Sequence, residues 1–232
     1  MKKSLVFAAT YNEAENINIF IEKILNLDVN LDLLIVDDNS PDKTWQTIDN
    51  YKKKYENIIL IKRENKQGLD TAHKLAFNYA IKHNYDYLIT LDADLSHDPT
   101  KIPDFLRELE DQPFVIGSRY IKDGKNEMKL RRYFLSAFGN KIIKFVLGIN
   151  CNEFTSSFRG FNLNKLKNFD INKVSSKGYS FFMETVYLIN MTGNSIKQIP
   201  IRFKDRAKGN SKIPKVEIFR TLKNLFFLKI KS

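Results

Sequence analysis

The chain has 232 residues, 43% hydrophobic and 28% charged, with no Pro-, Gly- or Ser-rich tract and no internal repeat, which excludes a disordered or repeat protein and fits one substantial domain with appendages. A formal net charge of +11, crowded toward the C-terminal half, suits an anionic partner such as phosphate, acidic lipid or nucleic acid as well as it suits a solvated surface. The single cysteine, Cys151, cannot close an internal disulfide, so a reducing compartment is expected, with the cytosol as the default.

Met1-Lys2-Lys3 and the apolar run behind it are charged like a signal peptide but lack a long apolar centre, so the run is read as a first strand. Short apolar runs at residues 4–9, 31–36, 57–61, 85–91 and 114–117 predict buried strands. Between them, segments 13–27, 42–55, 69–82 and 100–111 carry apolar residues at three- and four-residue spacing, as in Leu69, Ala72, Ala76 and Tyr79, and predict helices. Such alternation builds right-handed βαβ units: an α/β fold with a mostly parallel sheet and helices on both faces. Two later segments, 133–149 and 214–230, mix Phe, Leu and Ile with Lys and predict basic amphipathic helices. They suit a lipid headgroup layer or packing on the sheet, and the pattern admits both. No run approaches the roughly 20 apolar residues that cross a bilayer, so membrane contact is expected to be peripheral or through a partner.

Ligands on parallel sheets bind at the C-terminal ends of strands. Three polar loops with acids stand there: Thr10-Tyr11-Asn12-Glu13, Asp37-Asp38-Asn39-Ser40 and Asp92-Ala93-Asp94. The G-x-G-x-x-G fingerprint and the P-loop are both absent, which removes support for a nicotinamide enzyme or a P-loop NTPase. Acids at the mouth of a sheet repel a phosphate unless a divalent cation lies between them, and Mg2+ or Mn2+ prefers oxygen ligands. A D-x-D pair is also ordinary loop chemistry, and Tyr11 and Glu13 also fit a plain helix start with Thr10 or Asn12 as cap.

These loops are followed in order by Gly117-Ser118-Arg119-Tyr120, Thr155-Ser156-Ser157-Phe158-Arg159, Ser176-Lys177-Gly178-Tyr179, Asp205-Arg206, Gly209 and Ser211-Lys212. Together they resemble the family 2 glycosyltransferases, and within them the dolichyl- and polyprenyl-phosphate mannose synthases, over residues 4–213. The resemblance implies a GT-A fold, a Mg2+ or Mn2+ cofactor, and inverting transfer of mannose from GDP-mannose to a polyprenyl phosphate. It places Tyr11, Glu13 and Asp38 around the base and ribose, Asp92 and Asp94 at the metal and diphosphate, and Ser96 near the metal. The Ser96-His97 ending favours mannose over glucose, while Ala9, Asp70 and Glu153 depart from the family's usual Pro, Gly and Asp. Residues 1–213 would form the catalytic domain, including the amphipathic segment 131–149, and 214–232 a C-terminal basic helix.

A phosphate monoester with a second pKa near ~6 is mostly dianionic at neutral pH, so the acceptor needs no general base. It needs cations. Arg132 and Ser136 lie four residues apart, on one helix face, and the resemblance assigns acceptor-phosphate binding to Arg119, Arg132 and Ser136, whereas Arg131 reads as a solvated or lipid-facing charge. Arg206 and Lys212, near Gly209, resemble a mobile loop that covers the donor, or form a basic surface loop. Arg159 and Glu184 match family positions and are expected either to pair internally, with each other or Asp205, or to serve catalysis.

The implied location is peripheral, on the cytosolic face of a membrane, with a membrane-anchoring subunit left open. Two rivals stand beside this reading. One is a related transferase using a UDP-sugar or a polysaccharide acceptor, whose hydroxyl would demand a carboxylate base. The other is a basic nucleic-acid-binding protein; no nucleic-acid motif is present and the acidic loops would go unexplained, so no nucleic-acid partner is expected.

Overall fold

A computed structural model describes residues 2–204 and 216–231. Strands β1 (Ser4–Thr10), β2 (Asp32–Asp37), β3 (Ile58–Lys62), β4 (Tyr87–Thr90) and β5 (Phe114–Ser118) fall on the five predicted runs. Helices α1 (Ile17–Leu25), α2 (Thr44–Lys52), α3 (Leu69–Lys82) and α4 (Ile102–Leu109) lie between them. Leu5 and Phe7 of β1 enter one core while Val6 and Ala8 enter the other. A strand covered on both faces has no polar side, which is why these runs read as continuous rather than alternating.

Two predicted helix starts move. The backbone at Asn12 has φ 59°, and the amides of Asn16 and Ile17 both return to the Glu13 carbonyl, so α1 begins at Ile17 and neither Thr10 nor Asn12 caps it. Ahead of α4, Asp98 accepts from the Thr100 amide and Pro99–Lys101 forms a 3-10 turn, so the α-helix starts at Ile102.

The central sheet runs β3-β2-β1-β4-β7-β5-β8. The sequence reading contained neither β7 (Arg159–Asn162), antiparallel to both β4 and β5, nor β8 (Ile196–Pro200), parallel to β5. It also lacked α6 (Tyr179–Met191), which packs beside α3 on one face, whereas α1, α2 and α4 cover the other. A small second sheet joins β6 (Lys125–Asn126) to β9 (Arg202–Phe203).

The two amphipathic segments form α5 (Leu130–Leu147) and α7 (Val216–Lys231). Gly148, in the left-handed region at φ 66°, ends α5. Of the two readings left open, the structure shows packing on one side of each helix and exposure on the other. Ile143, Leu225 and Leu228 are buried in the α3–α6 core. Leu130, Phe134, Leu135, Phe138 and Phe145 of α5 face solvent, Phe145 at 88% exposure, as do Leu222, Phe226, Phe227 and Ile230 of α7. Among the described residues no helix is long and apolar enough to cross a membrane. The expected division between residues 213 and 214 lies outside the described residues.

Candidate active site

The C-terminal ends of β1, β2 and β4 bring the acidic loops to one edge of the sheet, where parallel pairing keeps Thr10 opposite Asp37. Asp37 is fully buried and structural: it accepts from the Thr10 hydroxyl at 2.8 Å and from both the amide and hydroxyl of Ser40. Asp38 is also buried, but its carboxylate is engaged: Arg63 pairs with it, and the amides of Gln67 and Gly68 point to it at 3.2 and 3.3 Å. Arg63 in turn donates to Thr71 Oγ1 and the Gly68 carbonyl, so Asp38 anchors the loop between β3 and α3. The ring of Tyr11 carries the ammonium of Lys66, from that same loop, at 3.9 Å. Glu13 accepts from the Asn16 side chain, and its amide donates to Thr44 Oγ1.

Beyond β4 the chain makes a tight turn over Asp92, Asp94 and Ser96, with Leu95 at φ 63°. The Asp94 side chain is buried, and its Oδ1 accepts from both the amide and the hydroxyl of Ser96, at 3.0 and 2.6 Å. Asp92 is 38% exposed. Beneath it His97 is buried, its Nδ1 3.5 Å from the Asp92 amide and 3.7 Å from the Asp92 carboxylate. Burial pushes this imidazole down to about 4, partly countered by the charge of Asp94, so it is neutral at pH 7. Its other ring nitrogen, Nε2, faces Ser156 Oγ at 3.5 Å.

Arg119 follows β5 and is almost fully buried. Its Nε and Nη2 donate to the two oxygens of Glu153 at 2.8 and 2.9 Å, and its Cζ lies 4.6 Å from the centre of the Phe203 ring. Burial opposes charge on both partners, yet each prevails: Glu153 stays below the usual carboxylate range and Arg119 above its ordinary value, with Asp92 adding to the latter. Next door the Tyr120 hydroxyl donates to Ser136 Oγ at 2.8 Å, which ties α5 to this group. Arg132, partly buried, sits one turn before Ser136, and Arg131 is exposed. Asn140 fastens the same helix to the 153–154 segment by accepting from the Phe154 amide.

The structure places Asp92, Asp94 and Ser96 on one turn and Arg119 within electrostatic reach of Asp92, with Ser136 tied to the neighbouring Tyr120 and Arg132 one helical turn before Ser136. Tyr11, Glu13 and Asp38 lie on the loops after β1 and β2. Arg206 and Lys212, and with them Asp205, lie outside the described residues. Arg159 and Glu184 do not pair: Arg159 donates to the carbonyls of Ser156 and Phe154, whereas Glu184 accepts from the amides of Ser175 and Ser176. Sequence reasoning missed Arg63 and the pairing of Glu153 with Arg119, whose partners lie 25 and 34 residues away in the chain.

Among the described residues no three His, Cys, Asp or Glu side chains stand close enough to hold a metal by themselves. The oxygens of Asp92, Asp94 and Ser96 nonetheless fit a hard divalent ion of the kind bound by one or two carboxylates together with substrate phosphates and water. Mg2+ and Mn2+ are both of this type.

Comparison with known proteins identifies the family and the fold. The model of glycosyl transferase family 2 matches residues 5–169. An undecaprenyl-phosphate mannosyltransferase of Micrococcus luteus is 30% identical over 210 residues, 90% of this chain and 86% of its own. A polyprenol monophosphomannose synthase of Mycolicibacterium smegmatis is 30% identical over 215 residues, 91% of this chain and 81% of its own. Among solved structures, a Pyrobaculum calidifontis mannosyltransferase in complex with GDP-Man and Mn2+ superposes with a TM-score of 0.63 at 18% identity, covering 99% of this chain but only 64% of that one. Glucosyl-3-phosphoglycerate synthase of Mycobacterium tuberculosis, in complex with Mn2+ and UDP-glucose, gives 0.67 at 17% identity, covering 98% and 79%. These two likenesses establish the GT-A fold. With acids at the ends of β1, β2 and β4, and a family match running from β1 past β7, the chain belongs to glycosyl transferase family 2.

Proposed function

We propose that this chain transfers mannose from GDP-mannose, with inversion, onto a polyprenyl monophosphate at the cytosolic face of a membrane. The observation that carries the reading is the acidic turn Asp92–Ser96 with Arg119 in its electrostatic reach and α5 tied alongside through Tyr120 and Ser136, an arrangement suited to joining two phosphates. Glu153, the carboxylate that meets Arg119, is buried and neutralised by it, so it does not serve as a base. None is needed, because the acceptor phosphate is already an oxygen nucleophile. The names of the two relatives at 30% identity support the same acceptor class and sugar.

In this reading Asp92, Asp94 and Ser96 would hold a Mg2+ or Mn2+ ion, which would supply Lewis-acid neutralisation of the diphosphate leaving group. Tyr11 and Glu13 flank the base and ribose, Asp38 steadies that wall through Arg63 and the loop amides, and Arg206 and Lys212 cover the donor. Arg119, Arg132 and Ser136 grip the acceptor phosphate, whose oxygen attacks the anomeric carbon as the nucleoside diphosphate departs. The exposed apolar faces of α5 and α7, flanked by Lys141, Lys223 and Lys229, rest on the membrane surface or on an anchoring subunit.

The test mixes purified protein with Mn2+, a short polyprenyl phosphate and either GDP-mannose, UDP-glucose or UDP-N-acetylglucosamine, and follows nucleoside diphosphate release with an Asp94→Ala control. Release of GDP that requires both lipid and Asp94 is the expected result. Release only from a UDP-sugar overturns the donor, and turnover independent of lipid overturns the acceptor.

A further inference from the structure

Glu153 has no direct place in the chemistry just described, yet it is the most heavily engaged side chain near the site. It is fully buried. Its Oε1 accepts from the Thr155 amide at 3.2 Å, the Thr155 hydroxyl at 3.0 Å, the Ser156 amide at 3.1 Å and Arg119 Nη2 at 2.9 Å. Its Oε2 takes Arg119 Nε at 2.8 Å. Ser156, held by this carboxylate, presents its hydroxyl to His97, which stands beneath Asp92. A polar chain therefore runs from Arg119 through Glu153 and Ser156 to the acidic turn.

We infer that Glu153 is the positioning residue for the acceptor site: it fixes the guanidinium of Arg119 by a two-point grip so that its remaining edge meets the acceptor phosphate. This rests on the lipid-phosphate reading above. The physical reason lies in the fork. An arginine side chain has four rotatable bonds, and a carboxylate that takes both Nε and Nη2 fixes the plane of the guanidinium as well as its location. Phe203, against the flat face of the same group, removes the remaining tilt. An unanchored arginine at the same place would have to be ordered by each incoming phosphate, and misplacement by about 1 Å at a reacting centre can cost on the order of a hundredfold.

The chain also separates the two substrates. Oε1 gathers the loop donors, whereas Oε2 serves Arg119 alone. In Glu153→Gln the carbonyl oxygen can keep the loop contacts at the Oε1 position, which sets an amide NH2 against Arg119 Nε. Arginine keeps at most its Nη2 contact and loses the two-point hold, while the loop, and His97 beyond it, stay in place.

The experiment measures binding of farnesyl phosphate, and separately of GDP with Mn2+, by calorimetry on the full chain. Glu153→Gln is expected to weaken farnesyl phosphate about tenfold and leave GDP–Mn2+ within about twofold, and Glu153→Asp, which restores the charge, to recover most of the loss. Equal weakening of both ligands, or of neither, overturns the inference, since a residue that only stabilises the fold would not divide them. Thr155→Val loosens one tether without removing either charge; if Glu153→Gln does not fold, this variant decides, with farnesyl phosphate weakened about threefold in support and unchanged affinity against. Wild-type protein that binds GDP–Mn2+ but no farnesyl phosphate overturns the acceptor reading and this inference with it. Wild type that binds both, alongside an undivided Glu153→Gln, overturns the inference alone.

Discussion

Ser96 turns both of its donors, the backbone N–H and the hydroxyl, onto the same oxygen of Asp94. The pair fixes the carboxylate in a turn whose shape already depends on Leu95 adopting φ 63°. Ser96→Ala removes the 2.6 Å contact and keeps the amide one. Loss of such a supporting hydroxyl is expected to weaken Mn2+ binding and turnover by roughly tenfold, whereas Asp94→Ala abolishes both. Manganese titration of nucleotide binding checks this; a Ser96→Ala protein with unaltered Mn2+ affinity rules out the supporting role.

Asp38 and Arg63 form a pair in which both side chains are more than nine-tenths buried. Removing the cation strands a carboxylate away from water, and breaking a buried pair costs about 3–5 kcal/mol. Arg63→Met is therefore expected to lower unfolding free energy by about that amount, and Arg63→Lys by less, because lysine keeps the charge but cannot reach Thr71 and Gly68 together. Urea unfolding at pH 7 distinguishes the two. A Lys variant as stable as wild type would mean that the fork contributes nothing, and equal stabilities for the Met and Lys variants would mean that the charge alone contributes nothing.

The β1–β4 half of the sheet was legible because doubly covered parallel strands leave unbroken apolar runs. β7 was not: Arg-Gly-Phe-Asn reads as a loop, and it is a central strand because Arg159 satisfies the carbonyls of Ser156 and Phe154 while Asn162 donates to the Leu109 carbonyl. α6 escaped for the opposite reason. Every residue from Ser180 to Tyr187 is buried, so no polar stripe marks a helix. In the site, Asp92 and Asp94 stand two residues apart and announce themselves. Arg63 is 25 residues from Asp38, and Arg119 is 34 from Glu153, so only the fold reveals those pairs.

His73 sits in the apolar layer between Phe7 and Phe182, ring centres 4.9 and 5.0 Å away. Burial first, and the charge of Arg159 second, push it down to about 3 from 6.5. The folded state refuses a proton that the unfolded chain accepts, so this group supports stability above pH 6.5 and the support is lost as pH falls toward about 3. His73→Leu is expected to flatten the acid limb of the stability curve by about 1.4 kcal/mol per pH unit between those values. Urea midpoints at pH 7, 6, 5 and 4 test it, and parallel curves for the two proteins would remove His73 as the cause.

Phe145 and Phe226 mark the apolar faces that α5 and α7 turn away from the core. An exposed pair of phenylalanines on neighbouring basic helices has little to gain in water, and each gains roughly 1.5–3 kcal/mol if fully buried in a lipid interface. Replacing both with serine should leave folding intact, because neither packs inside. Cosedimentation with vesicles containing phosphatidylserine is expected to fall at least tenfold, while turnover of a short, water-soluble prenyl phosphate changes by less than about twofold. Undiminished vesicle binding would remove these phenylalanines as the lipid contact. A matching loss of turnover on the soluble acceptor would instead mean that the helices shape the phosphate site itself, through Ser136 and its bond to Tyr120.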